Sequence, residues 1–533
     1  MSTKTTRAKT PKKARASKKD TQLDYDAVKS TGRRRPPSSR IVAEHIMLPD
    51  SKRKKMLATV QDQIRNASTA AWMVRRHLDY VSKFKLQFRT GREQLDTLVT
   101  RIFHWHAQPR NFDIAERFGR EEMFRMFEAE KVASGDAAMI KLRGLYLQAI
   151  ESDLIAYPKQ GAWNPKTKRY ANIPRDLANA VNKDTGVVMD ESRPGRIGQF
   201  CICNRGSDGK TVSFDHMENA RNVIFDAYWT RFSSQVRGVS PLSTAINLVQ
   251  DSYEGIDFNL AKAKVHALFG IALMRDYAGS SNDQEEVDGW GAVAGQQSGH
   301  DENLLTASES PEGTKQIATS LQEMKPNEMM MVDMDLKGRI DTIESKTPST
   351  EFREFQELVL RLAFLALDIP YTAFNSRSAS FSGMIADQNM YEVSCKWKRE
   401  KNLWKRKEYS DWLLDEIWND PSSEWGLREV AGRNGYNRLR DLQESVEWVP
   451  SGFPWLQKLQ EVQGDIKAVG AGLDNPQDIC KRRGSDFFAN VDKTAEAYKY
   501  AESKGVPLMI GEPGQASVSE EQDRIEGNDN EQD

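Results

Sequence analysis

Gln235-Val236-Arg237-Gly238-Val239-Ser240-Pro241-Leu242 marks the point where the apolar pattern of the chain changes its period. Upstream, short apolar runs occur from Ala137 to Ile150 around Gly144, at Gly186-Val187-Val188-Met189 and at Phe200-Cys201-Ile202-Cys203. Runs of that length broken by turn residues predict strands. Downstream, Leu242, Ala245, Leu248, Val249, Ser252, Ile256, Leu260 and Ala263 keep to one face of a helix that reaches about Phe269. Residues 137–232 therefore read as a β-containing layer inside an otherwise helical chain, and the fold class is α+β, mainly helical.

Working outward toward the N-terminus, Leu57, Val60, Ile64, Ala67, Ala71, Val74, Leu78 and Val81 recur at helical spacing. They predict one long amphipathic helix or two in series. Residues 1–55 carry Lys12-Lys13, Lys18-Lys19, Arg33-Arg34-Arg35 and the cations from Lys52 to Lys55. Such a stretch buries too little apolar surface to offset its ordering entropy, so a mobile basic arm is expected. It serves either as an unspecific phosphate anchor or as a solubilising tail.

Toward the C-terminus, residues 278–319 are dominated by Gly, Ser, Asp, Glu and Gln, which reads as a long exposed loop. A short strand is expected at Glu328–Asp333. Thr347-Pro348-Ser349-Thr350-Glu351 then offers caps to a helix that runs to about Asp368, with Phe352, Phe355, Val359, Leu362 and Ala366 on one stripe and Pro370 as its stop. A polar loop, Asn375 to Gly383, leads into another long helix from about Met384 to Trp418. Residues 451–505 are helical in pieces, and 511–533 form an acidic tail expected to be disordered. No repeat of roughly 20–50 residues is visible.

The whole chain has 533 residues, 76 Lys+Arg against 77 Asp+Glu, 38% hydrophobic residues and a mean hydropathy of −0.66. That length allows about three or four domains. The balance excludes a uniformly basic, histone-like protein, while leaving open where along the chain charge accumulates. No apolar run approaches the roughly 18 residues of a membrane span, and no secretory signal begins the sequence, so maturation in the cytosol is expected. Cys201, Cys203, Cys395 and Cys480 make neither a disulfide framework nor a zinc knuckle. His104-Trp105-His106 would aim two imidazoles one way only on a strand, and no neighbouring ligands complete a metal set.

Catalytic signatures fail on inspection. Gly206-Ser207-Asp208-Gly209-Lys210-Thr211 ends as a phosphate-binding loop does, but two residues rather than four separate its glycines, and a strand is expected to follow. A hairpin turn accounts for it. There is no G-x-S-x-G, H-E-x-x-H or G-x-G-x-x-G. Neither an enzyme nor a cofactor is therefore expected. The helix beyond the polar loop interleaves Lys396, Lys398, Arg399, Lys401, Lys405, Arg406 and Lys407 with Trp397, Trp404 and Trp412. Cations among aromatics can hold phosphates and stack bases. The preferred reading turns the tryptophans inward, since Trp397 and Trp404 are seven apart and share a side, and turns the cations outward.

The order of these pieces resembles the lambda-like family of tailed-phage portal proteins. The resemblance rests on Arg237-Gly238-Val239-Ser240-Pro241 ahead of a long helix, on Leu367-Asp368-Ile369-Pro370-Tyr371 closing a second helix, and on Ala379-Ser380-Phe381-Ser382 in the following loop. Leu147-Gln148-Ala149-Ile150-Glu151, Glu447-Trp448-Val449-Pro450, Gly472-Leu473 and Arg483-Gly484-Ser485-Asp486 match further themes in the same order, so the likeness spans about residues 60–505. Asp368 stands where that family usually has Gly, Ala379 replaces an acid, and a Tyr-Ser-Ser that often follows is missing.

The resemblance implies a portal-like subunit: a wing at 56–240, a first stem helix at 241–270, a clip at 271–346, a second stem helix at 347–369 and a tunnel loop at 370–383. A wing helix with its following segment would occupy 384–445 and a helical crown 446–510. It implies a homo-oligomeric ring of twelve at one vertex of the virion, assembled in the host cytoplasm around a channel for double-stranded DNA. The terminase large subunit, the major capsid or scaffolding protein and head-completion adaptors would be its partners, with no membrane involved. Within the loop, Arg377 is the single formal charge and the candidate DNA contact, flanked by Ser376, Ser378 and Ser380. Lys396, Lys398, Arg399, Lys405 and Arg406 are candidate DNA or partner contacts. The rival readings are a non-channel nucleic-acid-binding protein using the basic arm and the 396–407 cluster, and an enzyme whose acids converge in a cleft.

Overall fold

A computed structural model describes residues 42–506, apart from 160–162, 165–168, 171–174, 208–210, 233, 269–270, 275–305, 310–314, 319–330, 335–339, 342–349 and 421. The basic residues before 42, most of the 278–319 loop, the Thr347-Pro348-Ser349 cap and the acidic tail lie outside the described residues.

The main helices among the described residues are α1 (Asp50–Asn66), α2 (Ser68–Val81), α3 (Glu93–His106), α4 (Arg120–Ser134), α5 (Ile246–Leu268), α6 (Thr350–Phe364), α7 (Phe381–Asn419), α8 (Lys458–Gly470), α9 (Pro476–Arg482) and α10 (Phe487–Ser503). Eight strands accompany them: β1 (Phe84–Phe88), β2 (Asp136–Lys141), β3 (Leu147–Ile150), β4 (Val187–Met189), β5 (Ile197–Arg205), β6 (Val212–Asn219), β7 (Val223–Ala227) and β8 (Val446–Pro450). The helical pattern from 57 to 81 resolves into two helices because Ala67 takes extended backbone angles between them. The first begins at Asp50, with Asp50 and Arg53 buried, so order reaches into the stretch read as an arm.

The β layer forms where the short apolar runs stand. In the antiparallel sheet β3-β2-β7 the central strand is buried along nearly its whole length, and Gly144 and Leu145 turn the hairpin with φ of 80° and 69°. A second antiparallel sheet runs β4-β5-β6, and Gly206 N–H donates to the Thr211 carbonyl at 2.8 Å as β5 turns toward β6. Gly206 and Thr211 therefore close a hairpin, while Gly209 and Lys210 of the Gly-Lys-Thr motif lie outside the described residues. Of the strand expected at 328–333, residues 328–330 lie outside the described residues, and Met331–Met334 is a strand that pairs in parallel with Ile271–Met274.

Helix α7 is the spine of the chain. Its first half places Tyr391 and Cys395 in an apolar cluster with α1, α2 and the join of α5 and α6. Its second half places Tyr409, Leu413, Leu414 and Ile417 in another, with α3, α4 and Trp448 of β8. Between them the preferred orientation is overturned: Trp397 and Trp404 are 63% and 60% exposed, while Arg406 is among the most deeply buried side chains. Seven-residue spacing fixes that the two tryptophans share a side but not which side is covered. Arg406 goes inward because its guanidinium finds three aromatic faces there, Phe124 at 4.5 Å, Phe84 at 4.9 Å and Trp448 at 5.0 Å, together with the Glu121 carboxylate and the Ser82 carbonyl.

Candidate functional site

The Arg-Gly-Val-Ser-Pro segment is a joint that fixes where α5 begins. Arg237 Nε and Nη2 donate to the two oxygens of Asp136 at 2.7 and 2.8 Å, and Nη1 donates to the carbonyls of Ile155 and Thr185 at 2.6 and 2.9 Å. Gly238 donates its N–H to Asp136 Oδ2 at 2.9 Å, and a Cβ on it would fall 1.9 Å from the Gly135 carbonyl oxygen. Only glycine permits that approach. Ser240 Oγ donates to the Val132 carbonyl at 2.7 Å and accepts from Leu242 N–H, opening the short turn Pro241–Thr244 that leads into α5. One motif thus ties the β layer to the helix that follows it.

Helices α5 and α6 then pack side by side. Ser252 and Gln356, both buried, exchange two hydrogen bonds, Ser252 Oγ to Gln356 Oε1 at 2.6 Å and Gln356 Nε2 to the Ser252 carbonyl at 2.9 Å. The pairing is close because Gly255 leaves room: a Cβ there would meet Gln356 Nε2 at 3.0 Å. Helix α6 ends in one tight turn and at Asp368, whose φ of 58° is left-handed. Burial works to raise the Asp368 carboxyl, and the Lys398 ammonium, bonded to it at 2.8 Å, outweighs burial and holds it below the usual range.

The segment read as a polar loop is more ordered than its composition implied. Tyr371–Ala373 and Ser376–Ser378 are single helical turns, the second capped by Asn375, whose side chain accepts from Arg377 N–H at 3.2 Å. Its base is pinned by rings: Phe374 meets Trp72 at 5.4 Å and Phe364 at 5.6 Å, and Tyr371 stacks on Phe364 at 5.9 Å. Thr372 donates to Asp387 at 2.8 Å, joining the loop to α7.

Each candidate side chain now has a place. Ser376 and Arg377 are exposed at the tip, and the Arg377 guanidinium has no partner among the described residues. Ser378 Oγ donates to the Asn375 carbonyl at 2.7 Å, and Ser380 caps α7 by accepting from Gly383 N–H at 3.2 Å. In the second group, Lys398 binds Asp368 and the Leu367 carbonyl, Arg399 binds the Tyr80 carbonyl and lies 4.3 Å over Phe453, and Lys405 pairs with Glu408 at 3.3 Å. Arg406 is buried as described, and Lys396 is exposed. The fold thus brings the loop residues together at one tip and distributes the basic group around the helix.

Buried polar centres missed by the sequence reading lie elsewhere. His106 stands on a helix rather than a strand, so it points away from His104 and into the core. Its Nε2 donates to the Leu145 carbonyl at 2.6 Å and its Nδ1 accepts from Tyr409 at 2.7 Å. Burial pulls its pKa down to about 4 against the opposing Leu145 bond. Glu128 joins His77 at 3.1 Å and Lys131 at 2.6 Å, while Lys131 also reaches Asp226 at 2.8 Å. Burial would raise the Glu128 carboxyl, yet Lys131 and His77 together bring it to about 2. These groups are paired inside the core, and no group of three or more His, Cys, Asp or Glu among the described residues is disposed to hold a metal ion.

A probable portal protein of Halomonas phage phiHAP-1 is 23% identical over 180 residues, which is 33% of this chain and 32% of that relative's own length. Among solved structures, a chain from the virion of a native gene transfer agent particle aligns with 11% identity and a TM-score of 0.38, covering 81% of this chain and 93% of the other. A chain from the neck of that particle, computed with C12 symmetry, aligns with 12% identity and a TM-score of 0.37, covering 79% and 92%. The family model described as phage portal protein, lambda family, matches residues 30–385, a span holding the Arg237 joint, the α5–α6 pair and the Arg377 loop. By that match the chain belongs to the lambda family of phage portal proteins.

Proposed function

We propose that the chain is the subunit of a portal ring, twelve copies of which surround a channel at one vertex of a capsid and pass double-stranded DNA inward during packaging and outward at ejection. The observation that carries this reading is the family match from 30 to 385. In this reading residues 56–240 form the wing, α5 and α6 the stem, 271–346 the clip, 370–383 the tunnel loop, α7 with the residues after it the wing helix, and 446–510 the crown. The ring works without catalytic chemistry. It gives the terminase large subunit and later the head-completion proteins a docking platform, and it is seated among capsid or scaffolding subunits after assembly in the host cytoplasm.

The electrostatics support a conduit. DNA that slides must meet few strong phosphate clamps, because each neutralised phosphate adds to binding. Lys398, Arg399 and Arg406 are already engaged within the protein, and Arg377 stands at the tip of a loop held firm at its base. Arg377 would touch passing phosphates one at a time, with Ser376 beside it. Negative-stain microscopy of the purified full-length protein tests the reading: rings with an open axial hole are expected, and a homogeneous monomer would overturn it.

A further inference from the structure

Two of the apolar seams that face solvent among the described residues lie on α6 and α7. On α6 and the turn that ends it, Phe355, Leu358, Leu362 and Leu365 are 56%, 54%, 46% and 64% exposed. On α7, Met390, Val393, Trp397 and Trp404 are 74%, 72%, 63% and 60% exposed. The α6 seam steps by three, four and three residues. The α7 seam steps by three, four and seven, with Glu400 and Lys401 at the skipped turn. This is the alternation by which two helices lie along each other at a shallow angle. The seams run about 15 and 21 Å at about 1.5 Å per residue. The α7 side chains alone expose on the order of 400 Å² of apolar surface, within the roughly 300–600 Å² of the largest patch on a typical monomer.

We infer that the α6 seam of one copy packs along the α7 seam of the next, so that the occupant of each is a second copy of this chain. The inference rests on the ring proposed above and names its contact. Three observations select that occupant. The seams share a period but are both left uncovered within one chain. Opposite charges without a partner among the described residues stand on the two flanks, Glu351 and Glu354 on α6 and Lys396 and Lys401 on α7, beside Arg353, Glu392 and Glu400, whereas Glu357, Arg361, Lys398, Arg399 and Lys405 are already engaged within the chain. Finally, two different patches that fit each other make a heterologous contact, the kind that closes into a ring rather than stopping at a dimer. Double-stranded DNA does not suit either seam, because its bases are stacked inside the duplex and its outer phosphates would meet apolar surface.

The test uses the full-length chain and two double variants, Trp397→Glu with Trp404→Glu, and Leu358→Glu with Leu362→Glu. Circular dichroism and thermal unfolding establish that each is folded, and glutamine replaces glutamate at the same positions for any pair that is not. Mass photometry should show the ring population falling at least tenfold in each variant alone. Mixed in equal amounts, the two should form a one-to-one dimer and nothing larger, because each retains the seam that the other lacks. Wild-type rings that survive both pairs of substitutions, or two monomeric variants that do not dimerise on mixing, overturn this contact and leave the ring standing. A wild-type chain that stays monomeric overturns the ring and the contact together.

Discussion

Arg237 grips Asp136 across 101 residues of sequence, with Nε–Oδ2 and Nη2–Oδ1 bonds of 2.7 and 2.8 Å and both side chains buried. Burial would raise the Asp136 carboxyl, and Arg237 more than reverses that effect, so the pair is charged in the folded chain. Its two halves are β2 and the residue that leads into α5. The contact therefore fixes how the β layer meets the α5–α6 pair, which no hydrophobic stripe could specify to a single register.

Removing either partner strands the other without compensation. Arg237→Ala and Asp136→Asn should each cost about 3–5 kcal/mol of stability. Arg237→Lys should recover little, because one ammonium cannot replace a planar fork that serves Asp136 and the carbonyls of Ser152, Ile155 and Thr185 at once. Denaturant unfolding of the three variants checks this, and a lysine variant as stable as wild type would remove the fork from the explanation.

The His106 pocket predicts a pH dependence. The folded pKa of about 4 lies below the unfolded 6.5, so the unfolded chain takes up the proton first. Stability from this site is complete above about pH 6.5 and is lost as the pH falls toward 4, by roughly 3 kcal/mol in all at about 1.4 kcal/mol per unit. Glu128, held at about 2, adds a second loss below about pH 4.5. His106→Phe should reduce the slope of the melting-temperature profile between pH 6.5 and 4.5, where His77, whose pKa burial also lowers, supplies the remainder, while leaving the fall below it. An unchanged slope in that window would refute the assignment.

Asp368 shows how a departure from a sequence theme is accommodated. The sequence placed it where the resembling family has glycine, and the backbone there is left-handed, φ 58°. Asp and Asn tolerate that region better than other side chains. Ser394 and Lys398 hold the carboxylate at 2.8 Å each. Asp368→Asn and Asp368→Gly should both stay within about 1 kcal/mol of wild type, the second exchanging lost contacts for easier backbone geometry, whereas Asp368→Val should cost about 1–2 kcal/mol. Thermal unfolding of the three variants decides it.

What the sequence revealed divides along the range of the interactions. The α5 and α6 helices, the 136–150 hairpin and the turn at Gly206 are set by local period and turn residues, and all were readable. The facing of α7 was not, because Arg406 is buried by Phe84, Phe124 and Trp448, which converge from three distant elements. The same limit explains α6: Phe355 and Leu362, placed on one stripe with Val359, are exposed where Val359 is buried, while Gln356 is buried by its exchange with Ser252. At the candidate site, Arg377 stood out as the single charge of its loop, but the rings that pin the loop could not be foreseen, since Trp72 comes from a helix some three hundred residues earlier.

Arg377 is exposed and unpaired among the described residues, on a turn whose geometry comes from Asn375, Ser378 and the rings beneath it rather than from its own side chain. Its removal should therefore leave folding and ring formation within experimental error of wild type, since exposed side chains without partners contribute little. Its effect should appear only with DNA. Arg377→Ala should lower the amount of DNA packaged or retained, whereas Arg377→Lys, which keeps a mobile cation at the tip, should retain most of it. The loss should also narrow as salt rises, because screening weakens a phosphate contact in the wild type and has nothing to weaken in the variant. Normal packaging by intact Arg377→Ala rings would remove Arg377 from any DNA contact, and a ring defect would show that Arg377 instead pairs with a neighbouring copy.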